Sequence, residues 1–298
     1  MSCTDRKSIP TAPDLRVGAL PANLNVSRAS AMWSIRISSA LSSGRSVSLR
    51  NLYQGEYWTR ARELEAVADL RVVSAGLGLS TLDSPGVGYG ATFSPRMDDS
   101  VRRFAGGKPD VSAAWWFGLR ENGIGEPLPH NLGEVVIFAC SEHYQLAVSG
   151  DLLDLGKNGH TVIVVSGSSP IPRLSGARGI FHIETGQWIR MVLGGSTPNV
   201  GIRFTSHLIK TGLWSSPENA RLALKALQRE YESTRTHKLP TFDRIQRSDD
   251  EIRQWIHQKV VNTTVTVTKS SLLTQFRAEG FACEQKRFGQ LFIEVTRK

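Results

Sequence analysis

From Met32 onward, short runs of apolar, β-favouring residues alternate with stretches whose apolar residues recur at helical spacing. The runs at 34–39, 71–74, 134–139, 161–165 and 179–183 read as strands. Between the first two, 49–70 carries Leu52, Tyr53, Tyr57, Ala61, Leu64 and Val67 near helical spacing, with Glu56, Arg60 and Glu63 on another side, which predicts an amphipathic helix. Leu146, Val148 and Leu152 predict the same for 142–155. Nearly continuous apolar strands alternating with helices predict an α/β fold, a mostly parallel sheet with helices on both faces. In such sheets ligands gather beyond the carboxyl ends of the strands, where helix N-termini and loop amides converge. The expected exits are Ser38 to Gly44, Ser74 to Gly78, Cys140 to Tyr144 and Ser166 to Pro170, all turning on small, hydroxyl-bearing or glycine residues.

After Lys210 the pattern changes. Ser216-Pro-Glu-Asn opens a helix that runs to about 233, with an N-cap, a proline at the first position and an acid in the first turn. A polar linker at 234–240 follows. Ser248-Asp-Asp-Glu251 is a capping box ahead of Ile252, Trp255, Ile256 and Val260. Residues 262–268 are β-rich, a second helix capped by Thr268 carries Leu272, Leu273 and Phe276 and ends at Gly280, a third spans about 283–291, and a strand-like 291–295 closes the chain. This order predicts a helix-turn-helix or winged-helix-like DNA-binding unit at 237–298, after an α/β domain at 31–236 and an N-terminal extension at 1–30. Lys286 and Arg287 on the third helix are the expected contacts to bases or phosphates, with Lys269, Arg277, Arg297 and, in the first domain, Arg45. A small helical cap with a basic face fits the same residues.

Charge favours the first of these readings. Thirty-six Lys and Arg against 27 Asp and Glu give +9 and a pI near 9.7, which suits a polyanion because neutralised phosphates release counterions. Cys3, Cys140 and Cys283 are widely spaced with no CxxC pair, which argues for a reducing compartment and against a zinc site. The first thirty residues hold Pro10, Pro13 and Pro21 and no apolar core of a signal peptide, and nowhere do eighteen apolar residues run together, so a cytoplasmic protein is expected. GxxxxGK[ST], HExxH and GxSxG are absent, Gly76-Leu-Gly78 lacks the third glycine of a dinucleotide fingerprint, and the seven His are scattered; neither cofactor nor metal is expected.

Aromatic, hydroxyl and carboxylate side chains remain. Tyr53-Gln-Gly-Glu56-Tyr57-Trp58 gathers three rings and an acid around a glycine, and Asp83 to Ser94 is a long loop with three glycines and two rings, followed by Asp98-Asp99. Long loops in compact domains are usually functional. Rings and hydroxyls beside glycines suit a flat base held by stacking and by hydrogen bonds to its edge. Tyr53, Tyr89, Phe93 and Tyr144 are candidates to wall that base, and Ser39, Ser74, Ser141 and His143 to bond it. Glu56, Asp98 and Glu142 are the candidate carboxylates for stabilising an oxocarbenium-like sugar and positioning water. No lysine lies at an expected exit, which argues against lysine chemistry with strand cleavage. Plainer readings stand beside these: Tyr53 and Tyr57 as one core-facing helix stripe, Asp98-Asp99 as a helix cap, Glu56 as a solvated helix residue.

Leu52-Tyr-Gln-Gly-Glu-Tyr-Trp58, Val73-Ser-Ala-Gly-Leu-Gly-Leu79 and Tyr89-Gly-Ala-Thr-Phe93 together resemble bacterial proteins related to the peroxide-stress YaaA family, and the uracil-DNA-glycosylase-like module of archaeosine synthase. The resemblance covers about 35–169, and Gly90 stands where those relatives often carry an acid. It implies handling of nucleic acid or nucleobases. The whole-chain layout further resembles anti-phage DNA glycosylases that remove glucosylated hydroxymethylcytosine, which implies double-stranded phage DNA with modified bases as partner. Two other classes stay open: a DNA-binding stress protein without catalysis, and a base-modifying transferase that needs a second substrate.

Overall fold

Asn25 opens the first long helix, its side chain accepting a hydrogen bond from the Arg28 amide at 2.9 Å. This helix, α1 (Val26–Ser42), buries Ala29, Trp33 and Ile37 at four-residue spacing. The strand expected at 34–39 lies inside it: the alternation of Ile35 and Ile37 holds for one short window, while the longer helical period decides. The computed structural model describes residues 1–3, 6–95, 97–106, 110–128, 135–167, 169–196, 199–233, 244–261 and 268–296. These fall into two compact units, Met1–Ser233 and Thr234–Lys298.

In the first unit β1 (Val47–Ser48) leads into α2 (Leu49–Leu52) and α3 (Glu56–Arg62). The single helix expected over 49–70 is broken at Gly55, whose φ of 98° only glycine adopts readily. Next come β2 (Arg71–Ser74) and β3 (Gly78–Thr81), an antiparallel hairpin, and β4 (Pro85–Gly86), which pairs antiparallel with β1. After α4 (Val111–Glu121), β5 (Val135–Ala139), β6 (Thr161–Ser166) and β7 (Ile180–Glu184) form a parallel sheet in that order, with α5 (Glu142–Ala147) and α6 (Ser149–Lys157) in the first crossover. Helices α7 (Ile189–Leu193), α8 (Val200–Lys210) and α9 (Pro217–Ser233) complete the unit. The architecture is mixed α/β. Among the described residues its parallel sheet has three strands, and Arg71–Ser74 pairs with β3 rather than joining them.

The first thirty residues are part of this unit and not an extension. Met1 to Cys3 runs alongside β2: the Val73 amide donates to the Met1 carbonyl at 2.7 Å and the Cys3 amide to the Val73 carbonyl at 3.0 Å, a parallel pairing. Leu15, Val17 and Leu20 lie in the core.

The second unit contains β8 (Ile245–Gln246), α10 (Asp249–Val261), α11 (Lys269–Ala278), β9 (Phe281–Ala282) and α12 (Gln285–Thr296) around Ile252, Ile256, Leu272, Phe276 and Phe288. The capping box forms: the Ser248 amide donates to Glu251 at 2.8 Å and the Glu251 amide to Ser248 Oγ at 3.3 Å. Residues 291–295, expected as a strand, continue α12, because Phe288, Leu291 and Val295 keep helical spacing toward the core. The linker at 234–240, the β-rich 262–267 and Arg297 lie outside the described residues. Among the described residues no helix is long and apolar enough to cross a membrane.

Candidate functional site

Ser74 ends β2, and its Oγ accepts hydrogen bonds from the amides of Gly76 at 3.1 Å and Leu77 at 2.9 Å, closing the turn into β3. The turn is buried, so its carbonyls need partners. Two indoles supply them: Trp115 donates to Ala75 at 2.8 Å and Trp33 to Gly76 at 2.9 Å. Gly76 and Gly78 are therefore residues of a tight hairpin turn and not a strand exit opening onto a ligand. A side chain on Gly76 would collide with the Tyr89 ring, whose Cδ2 and Cε2 atoms occupy the place of its Cβ.

The Tyr89 hydroxyl lies 2.6 Å from Ser74 Oγ and 2.8 Å from the Tyr53 hydroxyl. Tyr53 stacks on Trp58 with centroids 4.8 Å apart, and Phe93 meets the edge of Tyr144 at 5.1 Å. The Tyr144 hydroxyl is 3.1 Å from Cys3 Sγ. Five of the expected base-binding residues, Tyr53, Ser74, Tyr89, Phe93 and Tyr144, thus come together, and Tyr53, Tyr89 and Phe93 are 0% exposed. They form a floor whose faces are covered, not walls around a base. Burial pushes the hydroxyls of Tyr53, Tyr89 and Tyr144 far above their ordinary acidity range, so all three stay protonated at neutral pH.

From Arg6 to Ser8 the chain lies over this floor. The Gln54 amide donates to the Arg6 carbonyl at 3.0 Å, the Ser8 amide donates to the Leu52 carbonyl at 2.8 Å, and Lys7 Nζ sits 4.2 Å from the Tyr89 ring centroid. Arg6 and Lys7 are site residues that the periodicity argument missed, because Met1 to Cys3 is too short to read as a strand. Their one signal is a basic pair two residues after Met1 to Cys3. Lys7 stands outside the four expected strand exits, none of which carries a lysine.

The expected carboxylates are elsewhere on the unit's surface. Glu56, exposed on α3, accepts from Asn199 Nδ2 at 2.8 Å and is ion-paired with Arg203; the Arg203 hydrogen bond holds its pKa below the usual carboxylate range. Asp98 is exposed, while its neighbour Asp99 accepts from Arg16 at 2.6 Å and from the Gly18 amide at 3.0 Å and lies against Gly90. Ser141 and Glu142 are exposed at the start of α5; His143 is half-buried, its Nδ1 without a hydrogen-bond partner among the described residues, and burial lowers its pKa. Among the described residues none of Glu56, Asp98 and Glu142 hydrogen-bonds to the tyrosine floor. Ser39 sits exposed on α1, apart from the cluster because no strand ends there. Ser166 Oγ is 2.9 Å from His182 Nε2 across to β7, and Ser169 donates to Glu184 at 3.3 Å.

Arg203→Met is expected to lower stability at neutral pH. Because the folded-state pKa of Glu56 is depressed, the ion pair's contribution is complete above the unfolded-state value, about 4.3 for a glutamate, and fades as pH falls through the depressed one. Urea midpoints of the two proteins should therefore converge in acid.

In the second unit Arg277 donates to the Cys283 carbonyl at 2.9 Å, and Arg287 pairs with Asp249 at 2.7 Å and donates to the Arg247 carbonyl at 3.1 Å. Both are committed to holding the unit together. Lys269 is exposed at the start of α11, Lys286 lies on α12, and Arg45 is exposed in the loop after α1. Among the described residues no three His, Cys, Asp or Glu are grouped so as to hold a metal ion. The fold and site define a mixed α/β chain with a buried tyrosine–serine floor beneath a basic loop. Comparison with protein-family models finds no match, and comparisons with curated proteins and with solved structures find none either.

Proposed function

We propose that the chain is a monofunctional DNA N-glycosylase with a uracil-DNA-glycosylase-like, mostly parallel α/β domain. It acts in the cytoplasm on double-stranded phage DNA and excises a modified base, glucosylated hydroxymethylcytosine, leaving an abasic site. The observation that carries this reading is the meeting of the Ser74 turn, the Tyr89 loop and the Cys140–Tyr144 exit beneath Arg6 and Lys7. A cationic loop over a hydroxyl floor suits a DNA strand whose phosphate is held by Arg6 and Lys7; because the faces of the floor are covered, the flipped base would be received beside it and not between its rings. Water adds to C1′, the N-glycosidic electron pair leaves with the base, and a carboxylate takes the proton of the water. Glu142 is the first carboxylate to test, standing two residues before Tyr144 of the floor.

Incubation with phage-modified duplex should release free modified base, seen by mass spectrometry, and leave sites that break in alkali. Breaks without alkali would assign the step to Lys7 as a nucleophile instead. A second reading, DNA binding without catalysis, is favoured by the ion-paired state of Glu56 and the covered faces of the tyrosines. Tight binding with no base released from any modified duplex would establish it over the first.

A further inference from the structure

Between β2 and β5 lies a cavity of about 410 Å³. Arg71 and Val73 of β2 flank one side and Val135, Val136 and Ile137 of β5 the other, while α4, α6 and α8 close it. Strands of a parallel sheet are normally buried on both faces. Residues 162–166 of β6 are buried accordingly, but Val135, Val136 and Ile137 are only half-buried, because they face the cavity. At its margin stand two exposed apolar side chains, Val67 at 65% and Trp214 at 42%.

One edge of β5 pairs with β6; along the other, the hydrogen bond present among the described residues comes from the Tyr57 hydroxyl to the Ala139 carbonyl at 3.1 Å. Every second peptide group of a parallel strand faces away from its neighbour. A non-peptide apolar ligand would fill the cavity and leave those groups unpaired, which is costly away from water. A peptide strand satisfies both needs at once. The end of the slot already holds such a strand: Met1 to Cys3 pairs parallel with β2, and Tyr57 spans from it to β5, accepting from the Ser2 amide at 3.2 Å. The Met1 amino group donates to the Arg71 carbonyl at 2.9 Å, the bond a peptide N–H would make in a continuing ladder.

We propose that this cavity is a strand slot, which binds an extended polypeptide segment of branched apolar residues running parallel to β2 and β5. The segment joins β3-β2 to β5-β6-β7 as one sheet, mostly parallel, by the same edge addition that peptide-binding domains use. Direction fixes the probe. A segment of this polarity ends at Met1, so joining it there replaces the ammonium by an ordinary peptide N–H.

The test is hydrogen exchange on three versions of the full chain carrying four added residues ahead of Met1: isoleucine–valine–leucine–valine, glycine–serine–glycine–serine, or the apolar sequence with proline at alternate positions. The apolar segment should slow exchange across Val135–Ala139 by about ten-fold or more, and the other two should not. Unchanged exchange with the apolar segment would overturn the proposal. Equal slowing by the proline version would too, since proline can fill the space but cannot donate to the ladder. If the joined chain proves insoluble, the blocked apolar tetrapeptide titrated onto the chain gives the same readout.

Discussion

Gly76→Ala is expected to lower the stability of the first unit by about 3 kcal/mol, the upper end of what an overpacked core costs. The added methyl would enter the Tyr89 ring, and the ring cannot retreat, because its hydroxyl is held by Ser74 and Tyr53 and Trp33 is set against it at 6.4 Å. A shift in urea midpoint at unchanged slope would register the loss. Gly150→Ala is the control: it sits in helix α6 with open space around it, and there the substitution should stabilise, by about 0.5–1 kcal/mol. Equal midpoints for Gly76→Ala and the parent protein would mean that the floor is not rigid.

Asp151→Ala should cost about as much, roughly 3 kcal/mol. The Asp151 side chain is 11% exposed and accepts from Trp116 Nε1 at 2.6 Å and from Arg120 at 2.8 Å. Its removal leaves a buried indole N–H and a guanidinium without their acceptor. Arg120, 29% exposed, can turn partly to water, which keeps the loss at the low end for a broken buried pair. Glu63→Gln, which weakens the exposed contacts to Arg60 and Lys210, should stay within about 0.5 kcal/mol. Thermal or urea unfolding of the two variants side by side would separate the cases, and similar losses from both would contradict the burial argument.

What could be read from the sequence follows from how long each pattern persists. β5, β6 and β7 are runs of apolar residues that fit both faces of a covered parallel sheet, and all three form within a residue of their expected bounds. Helix α9 and the Ser248–Glu251 box carry their own start signals. Residues 34–39 and 291–295 misled because five or six residues satisfy a two-residue period by chance inside a longer helix. At the site, residue type was informative and orientation was not. Tyr53, Tyr89 and Phe93 do gather with Ser74, but periodicity cannot tell a ring that walls a pocket from one that floors it. Arg277 and Arg287 teach the same lesson: their charge is written in the sequence, and the carbonyls and the carboxylate that engage it belong to residues distant along the chain or across a turn.

The carboxylate of Asp99 lies in the space that a side chain on Gly90 would need, tied there by Arg16 and the Gly18 amide. An acid thus stands against position 90, supplied from nine residues further along. Two sites that look independent in the sequence are one site in space, able to change together but not singly: an acid introduced at 90 would meet the acid already there, and a residue lost at 99 would leave Arg16 unpaired beside an unfilled hollow.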